Sequence, residues 1–271
     1  MALTTIGLMA LLGCFTGFMA GLLGIGGGMI ITPFLIMLIP SSLIPHDHIV
    51  HVAIATSLAT IAFTSLSSVR AHHKRGAVLW NVVASVAPGI LVGAVVGAQI
   101  AGWLPTFWLS LIFAGFVGFS AFKMFLNKSP RPDRNLLGTM GKFFMGIAIG
   151  ILSALVGAGG GFISVPWMVW CNVKMQNAVA TSAAFGFPIA LFGTIGYIIS
   201  GWNVSGLPPW PIDLGYICIP ALFSVAITSV LFAPLGAKVA HSIDTKPLKK
   251  IFACLLCFVC LYMIRQAYLA M

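Results

Sequence analysis

The chain has 271 residues, of which 60% are hydrophobic and only 7% are charged, and its mean hydropathy is +1.08. Soluble domains have about 25% charged residues, so this composition excludes a soluble catalytic domain and a nucleic-acid-binding module and indicates a polytopic membrane protein. The net charge of +10 has a different origin, because Lys and Arg concentrate in a few short loops, as on the cytoplasmic side of membrane proteins.

The first half of the chain contains five apolar stretches. They cover residues 3–24, 28–40, 49–69, 77–102 and 106–126. The first begins without a basic n-region and is interpreted as retained structure, not as a cleaved signal peptide. The second is short: its roughly 12 residues make about 18 Å of helix, against a hydrocarbon core of about 30 Å. It is predicted to form a re-entrant hairpin or a broken helix with the first stretch, sheltered inside the protein.

The second half repeats this order. Its apolar stretches cover residues 141–157, 160–172, 178–200, 214–237 and 248–269. The glycine-rich segment 13–33 returns as 146–166 at a constant shift of 133, with six glycines and one proline in register. The sequence A-I-A-T-S from Ala53 likewise returns as A-V-A-T-S from Ala178, at a shift of 125. The protein is therefore an internal duplication.

Basic residues predict the orientation of the helices. If the basic loop at 70–75 is cytoplasmic, alternation along the chain puts 13 of the 14 Lys and Arg inside and only Arg265 outside. Both termini are then extracytoplasmic, and each half makes an odd number of crossings, so the repeats are predicted to be inverted. The equivalent of the basic loop, 195–200, carries no charge, as expected for equivalent loops on opposite membrane faces.

These features predict an all-α polytopic membrane protein with two inverted repeats. It would have 8–10 transmembrane segments, including two re-entrant or broken short helices. Residues 1–127 would form the first transmembrane repeat, 128–140 a cytoplasmic inter-repeat loop, and 141–271 the second, inverted repeat. The polar, proline-containing start of that loop is the natural boundary between the halves.

A glycine triplet stands before the short segment of each half. The triplets are Gly26, Gly27 and Gly28, and Gly159, Gly160 and Gly161. At such a break, the N–H groups that start the next helix face the cavity, and a helix N-terminus binds anions without a basic side chain. The triplets are interpreted as substrate-lining, with close helix packing as the alternative. Packing is favoured for the outer G-x-x-x-G patterns, and the 89–97 face fits an internal helix pair or a homodimer equally well.

Two Thr-Ser pairs provide the main hydroxyl groups in apolar surroundings. They are Thr56 with Ser57 and Thr181 with Ser182. These hydroxyls could donate to an oxyanion, or they could bond to their own helix or bridge to a neighbour, and the sequence leaves both alternatives open. Pro33 and Pro166 are interpreted as helix-shaping residues, because proline suits the first turn of a helix.

Acidic and metal-binding side chains are scarce. The chain has no Glu and four Asp, all in predicted loops, so a carboxylate relay at the bilayer centre is absent and a cationic substrate would lack a counter-charge. The histidines stand at or near segment ends and are interpreted as interfacial and solvated, although His51 could titrate near neutral pH. The C-x2-C-x2-C spacing at 254–260 has no His or acidic neighbours, which favours apolar helix surface over a metal site. No metal or other cofactor is predicted.

Two other functional classes compete with a carrier. An intramembrane enzyme would need a nucleophile with a base, but the glycine breaks carry no Asp, Glu or His, and Ser153 has no evident partner. An anion channel is harder to separate, because an inverted repeat with re-entrant segments would also serve a pore. Unitary conductance would indicate a channel, and saturable exchange a carrier.

The motifs of both halves resemble one known family. In the first half they are G-L-L-G-I-G-G-G-M-I-I-T-P-F-L at 21–35, A-T-S-L at 55–58 and T-S-L-S-S-V-R-A-H-H-K-R-G at 64–76; in the second they are A-L-V-G-A-G-G-G-F-I-S-V-P at 154–166 and A-V-A-T-S at 178–182. Together they strongly resemble the TauE/SafE family of bacterial membrane proteins, described as sulfite and organosulfonate exporters. The resemblance covers essentially the whole chain, and the family motifs fall on the glycine triplets and the A-T-S sequences.

The resemblance implies multi-pass helical transport of small sulfur-containing anions or related carboxylates. The predicted function is therefore a secondary transporter that moves sulfite, an organosulfonate or a related organic acid across the bacterial inner membrane by alternating access. Its expected partners are the anion and the lipid bilayer, with a coupling proton or cation and a homodimer left open, and no nucleic acid. The two half-sites are not chemically identical, since Ala158 and Val165 stand where the first copy has Ile25 and Thr32.

Overall fold

The computed structural model describes residues 3–24, 27–40, 44–126, 137–202, 204, 214–240, 242 and 246–270. The helices of this part of the chain are α1 (Leu3–Leu23), α2 (Gly28–Leu38), α3 (Ile49–His73), α4 (Trp80–Trp103), α5 (Thr106–Leu126), α6 (Thr139–Val156), α7 (Gly161–Trp170), α8 (Met175–Gly201), α9 (Ile219–Ala240) and α10 (Lys246–Leu269). They match the predicted apolar stretches one for one, so the all-α prediction is confirmed. Gly26 and positions 127–136, which include most of the predicted inter-repeat loop, lie outside the described residues.

Helix length separates two classes of element. Within the described residues, eight helices are long and apolar enough to cross a membrane, whereas α2 and α7 have only 11 and 10 residues. This confirms a polytopic membrane protein. The re-entrant placement of the short helices and the inverted orientation of the repeats stay predictions.

The helix pairs follow the duplication. Helix α1 packs along α9, and their counterparts α6 and α4 pack along each other. Helix α3 packs against α8 at the centre, α3 also contacts α9, and α8 contacts α4 in the equivalent way. Helix α5 pairs with its own counterpart, α10. Each of these contacts has its equivalent when the two halves are exchanged.

The outer glycines lie in the two closest helix interfaces. A Cβ atom at Gly17 of α1 would lie 2.6 Å from the Cα atom of Ser229 in α9, and one at Gly97 of α4 would lie 2.8 Å from the Cα atom of Ile151 in α6. Real side chains do not fit at such distances, so glycine is required for this approach. The packing interpretation is confirmed, and the 89–97 face is occupied by α6 within the chain.

Both glycine-lined pairs are parallel. Along α1, the glycines face successive residues of α9 in the same order: Gly13 faces Val225, Gly17 faces Ser229 and Gly21 faces Ala233. The glycines of α4 face α6 in the same manner. The basic-loop topology also makes α1 and α9 run inward and α4 and α6 run outward, so the packing agrees with it.

One pair of predicted loops is largely helical instead. Residues 195–200 belong to the last turns of α8, and Arg70 to His73 form the last turn of α3. The A-T-S helices are long, at 25 and 27 residues, and continue past their apolar centres. The charge difference therefore separates the last turns of α8 from the last turn of α3 and the turn after it, which contains Lys74 and Arg75.

Candidate functional site

Each glycine break contains two residues in the left-handed conformation. Gly24 and Gly27 have φ of 67° and 73°, and their equivalents Gly157 and Gly160 have φ of 63° and 78°. Glycine adopts this conformation without the penalty that a side chain adds, which explains why these positions recur in both halves. The second glycine of each pair is the N-cap of the short helix, which then starts as predicted at Gly28 or Gly161. The first N–H groups of that helix point back into the break.

The two halves meet at these breaks. A Cβ atom at Gly28 would overlap the carbonyl oxygen of Gly157 and lie 2.9 Å from its carbonyl carbon. Gly157, in turn, packs against α3, because its own Cβ position lies 3.3 Å from the Cα atom of Ile54. The start of the first short helix therefore touches the end of α6 through backbone atoms alone.

The two serines of the A-T-S sequences bind the breaks of the opposite repeat. Ser57 Oγ donates a hydrogen bond of 3.1 Å to the carbonyl oxygen of Gly157, and Ser182 Oγ donates one of 3.0 Å to that of Gly24. Ser182 Oγ also accepts a bond of 2.8 Å from Ser164 Oγ on α7. Gly24 and Gly157 are equivalent residues, so the two bonds form a symmetric pair.

The two threonines form a second symmetric pair of bonds. Thr56 Oγ1 accepts the backbone N–H of Cys218 at 3.0 Å, and Thr181 Oγ1 accepts that of Leu79, also at 3.0 Å. Cys218 and Leu79 each immediately precede the fourth helix of a repeat. All four hydroxyl residues are fully buried. The structure thus contains the bridging contacts that the sequence left open, and the role of these hydroxyls as substrate ligands stays a prediction.

The prolines do not lie in the first turn of the short helices. Pro33 and Pro166 are each the sixth residue of their helix, so the first-turn interpretation is wrong. The helices start at the glycines, five residues earlier. A proline in this position removes the N–H that would bond to the carbonyl four residues before it, at Met29 or Phe162. The helix-shaping role of both prolines stays a prediction.

A small cavity lies between α1, α3 and α8, where it touches Gly24 of the first break and Gly159 of the second. It is lined by Ala20, Gly24, Ser65, Ser68, Gly159, Ala183 and Gly186. Its volume of about 10 Å³ is near the minimum that holds one water molecule. Ser68 Oγ is buried without a hydrogen-bond partner, whereas Ser65 Oγ donates to the carbonyl oxygen of Ala62 at 3.1 Å. We call this space the serine cavity.

Sequence reasoning placed Gly159 at the site but missed the two serines of α3. A signal was present: Ser57, Thr60, Thr64 and Ser68 follow one another at spacings of three or four residues, which puts them on one face of a helix. This hydroxyl face runs from the Gly157 contact to the serine cavity.

Two histidines are buried, so their interpretation as solvated interfacial residues is wrong. His51 is 2% exposed, and its Nε2 lies 3.1 Å from the carbonyl oxygen of Ala101 and 3.0 Å from that of Leu104. Both partners are acceptors, so Nε2 carries the hydrogen. His72 is fully buried, with Nε2 3.1 Å from the carbonyl oxygen of Gly21. Backbone carbonyls at the ends of α4 and α1 replace the water that an interfacial histidine would bind.

A larger open crevice lies between the end of α2, the start of α3 and α10. It has a volume of about 470 Å³, and its polar lining includes His46, Tyr262, Arg265 and Gln266. Gln266 Nε2 donates a bond of 2.7 Å to Tyr262 Oη. In the predicted topology this crevice opens on the extracytoplasmic side.

Comparison with known proteins agrees with this architecture. The family described as sulfite exporter TauE/SafE matches residues 9–263. A probable membrane transporter protein of Haemophilus influenzae is 34% identical, over 96% of this chain and 98% of its own length. Relatives with the same description in Bacillus subtilis and Methanocaldococcus jannaschii are 31% and 27% identical, over 69% and 95% of this chain and 76% and 94% of their own lengths. No solved structure matches the chain. The chain belongs to the TauE/SafE family, and it is a multi-pass membrane transporter and not an enzyme.

Proposed function

We propose that this transporter is a secondary carrier that moves a small anion across the bacterial inner membrane by alternating access, with both termini extracytoplasmic. The substrate class is sulfite, an organosulfonate or a related organic acid. The observation that carries the proposal is the pair of glycine breaks, each of which starts a short helix beside the other repeat.

Charge supports an anionic substrate. None of the ten described helices contains Asp or Glu, so a cation at the centre would have no counter-charge. The breaks offer backbone N–H groups and helix N-termini, which stabilise negative charge in low-dielectric surroundings. The substrate cavity of the carrier would be lined on one side by Gly26, Gly27 and Gly28 and on the other by Gly159, Gly160 and Gly161.

The hydrogen bonds between the repeats support alternating access. Each repeat holds the other through one serine bond to a break and one threonine bond before a fourth helix. Rocking one repeat against the other would loosen one set of bonds and keep the equivalent set, which exposes the breaks to one side at a time.

The small volume of the serine cavity favours a carrier over a permanently open channel. The serine cavity is about 10 Å³, too small for an anion such as sulfite with its shell of partners. A carrier must move to bind and release its substrate, whereas a conducting channel keeps a continuous path.

The test is sulfite flux into proteoliposomes for the wild type and for Gly160→Trp. The matched control is Gly115→Trp on α5, where a Cβ atom would have no neighbour within 4 Å. We expect saturable flux that Gly160→Trp abolishes and Gly115→Trp retains. Full flux in a folded Gly160→Trp protein would remove the second break from the pathway, and no sulfite flux in the folded wild type would overturn sulfite as the substrate.

A further inference from the structure

The duplication predicts one cavity beside each break, but within the described residues the serine cavity has a filled counterpart. The part of α8 that lines the serine cavity has small side chains, Ala183 and Gly186. At the shift of 125 their equivalents on α3 are Leu58 and Ile61. The two half-sites therefore differ by three side-chain carbon atoms at one position and by four at the other.

Leu58 and Ile61 occupy the equivalent space. Leu58 Cδ1 lies 3.0 Å from the position that a Cβ atom would take at Gly193, and Ile61 Cδ1 lies 2.7 Å from that position at Gly28. Both side chains are fully buried. One of the two equivalent spaces is thus filled, and the space for a ligand remains in the serine cavity.

The hydroxyl groups of α3 and α8 differ in the same direction. The equivalents of Ser65 and Ser68 on α8 are Ala190 and Gly193, which carry no hydroxyl. The filled half-site keeps one buried hydroxyl without a partner, Ser153 Oγ on α6, at the position equivalent to Ala20. Ser68 Oγ has no hydrogen-bond partner although its residue is only 2% exposed. A buried hydroxyl without a partner is unfavourable, and an oxygen atom of a ligand in the cavity would satisfy it.

We propose that the serine cavity is the subsite for one oxygen atom of the transported oxyanion, and that Ser68 is its side-chain donor. This inference rests on the proposed transport function. Ser65 lines the same space and can turn its hydroxyl from the Ala62 carbonyl towards the ligand. Thr56, Ser57, Thr181 and Ser182, whose oxygens already bond to the opposite repeat, act as cross-links. The cavity holds a single oxygen atom in the closed state, and the rest of the anion enters when the repeats move apart.

The location of the subsite makes the cytoplasmic and the outer side of the carrier different. Ser68 stands five residues before the end of α3 at His73, on the side that the basic residues predict to be cytoplasmic. The half-site that holds the serine cavity would therefore face the cytoplasm, and the half-site filled by Leu58 and Ile61 the outside.

The experiment compares Ser68→Ala with Ser110→Ala in proteoliposomes. Ser110 is the matched control, because it is also fully buried without a hydrogen-bond partner, but it lies on α5 away from the cavity. We expect Ser68→Ala to raise the KM for sulfite about tenfold or more, the size expected for a hydrogen bond to a charged group, with little change in the maximal rate. Ser68→Thr, which keeps the hydroxyl, should recover most of the affinity.

Size-exclusion chromatography of each variant establishes that it is folded. If Ser68→Ala does not fold, Gly186→Ala replaces it, since its methyl group would lie 3.3 Å from Ser65 Cβ inside the cavity, with Gly115→Ala as its control. Equal KM values for the Ser68 and Ser110 variants, with normal wild-type flux, would overturn the subsite and leave the transport function intact. Absence of wild-type sulfite flux would overturn sulfite as the substrate, on which the subsite rests, and the subsite with it.

Discussion

The half-site at the first break and the half-site at the second share their backbone and differ in their lining. Each has two left-handed glycines and a short helix, and a serine of the opposite repeat donates a hydrogen bond to one of its glycine carbonyls. Leu58 and Ile61 fill one of the two equivalent spaces, whereas Ser68 and Gly186 line the other, which is the serine cavity. The duplication has thus kept the elements that let the repeats meet, while the residues available to a ligand have diverged. Substrate selectivity is then expected in one half-site and structural support in the other.

The largest expected effect comes from blocking the backbone contact between Gly28 and Gly157, where the two breaks meet. Gly28→Val would drive a side chain into the carbonyl group of Gly157, so the halves could no longer meet. We expect loss of all sulfite flux and a lower yield of folded protein. Gly7→Val on α1 is the control, because a Cβ atom there has no neighbour within 4 Å. Flux in Gly28→Val equal to that of the control would contradict the contact between the breaks.

Opening the filled half-site tests its structural role. Leu58→Ala removes a fully buried side chain and leaves a cavity, which typically costs about 2–5 kcal/mol. We expect this loss in the free energy of unfolding, measured by titration with sodium dodecyl sulfate in mixed micelles, with a nearly unchanged KM for sulfite. A large rise in KM without loss of stability would mean that the first half-site binds substrate.

The symmetric serine bonds permit a paired comparison. Ser57→Ala and Ser182→Ala each remove one bond between the repeats, which contributes about 1 kcal/mol. Both variants should denature at lower temperature in detergent, and Ser182→Ala should lose more because Ser182 also binds Ser164. If one variant were as stable as the wild type, the two bonds would not be equivalent.

The smallest expected effect lies outside both half-sites, in the open crevice. Arg265→Gln removes an exposed positive charge at the predicted extracytoplasmic end. An exposed charge attracts an anion through solvent, and salt screens that attraction. We therefore expect a change in sulfite flux of about twofold or less, which disappears at high salt. A loss as large as that of Gly28→Val would place a substrate site in the crevice.

Local sequence signals predicted much of this fold. Hydropathy located the helices in order, and the repeated glycines marked the start of α2 and α7, because left-handed conformations and close backbone contacts demand glycine at particular positions. The largest error in a helix start is at α9, which begins at Ile219 and not at 214.

Contacts between distant residues could not be predicted in the same way. The bond from Ser57 to Gly157 joins residues that are 100 positions apart, and the burial of His51 depends on the carbonyl groups at the end of α4. The serine cavity arises from the difference between Gly186 and Ile61, which becomes meaningful only when the packing of α3 on α8 is known. The repeats also differ at Ile25 and Thr32, but the differences that form the cavity lie on the A-T-S helices.

The central claim is carrier-mediated transport of a small oxyanion, and a counterflow measurement tests it most directly. Proteoliposomes loaded with unlabelled sulfite are diluted into a trace of labelled sulfite. A carrier that exposes one site alternately to each side predicts a transient accumulation of label above equilibrium, absent from empty vesicles. Uptake that rises only to equilibrium, or no uptake by folded protein, would contradict the account.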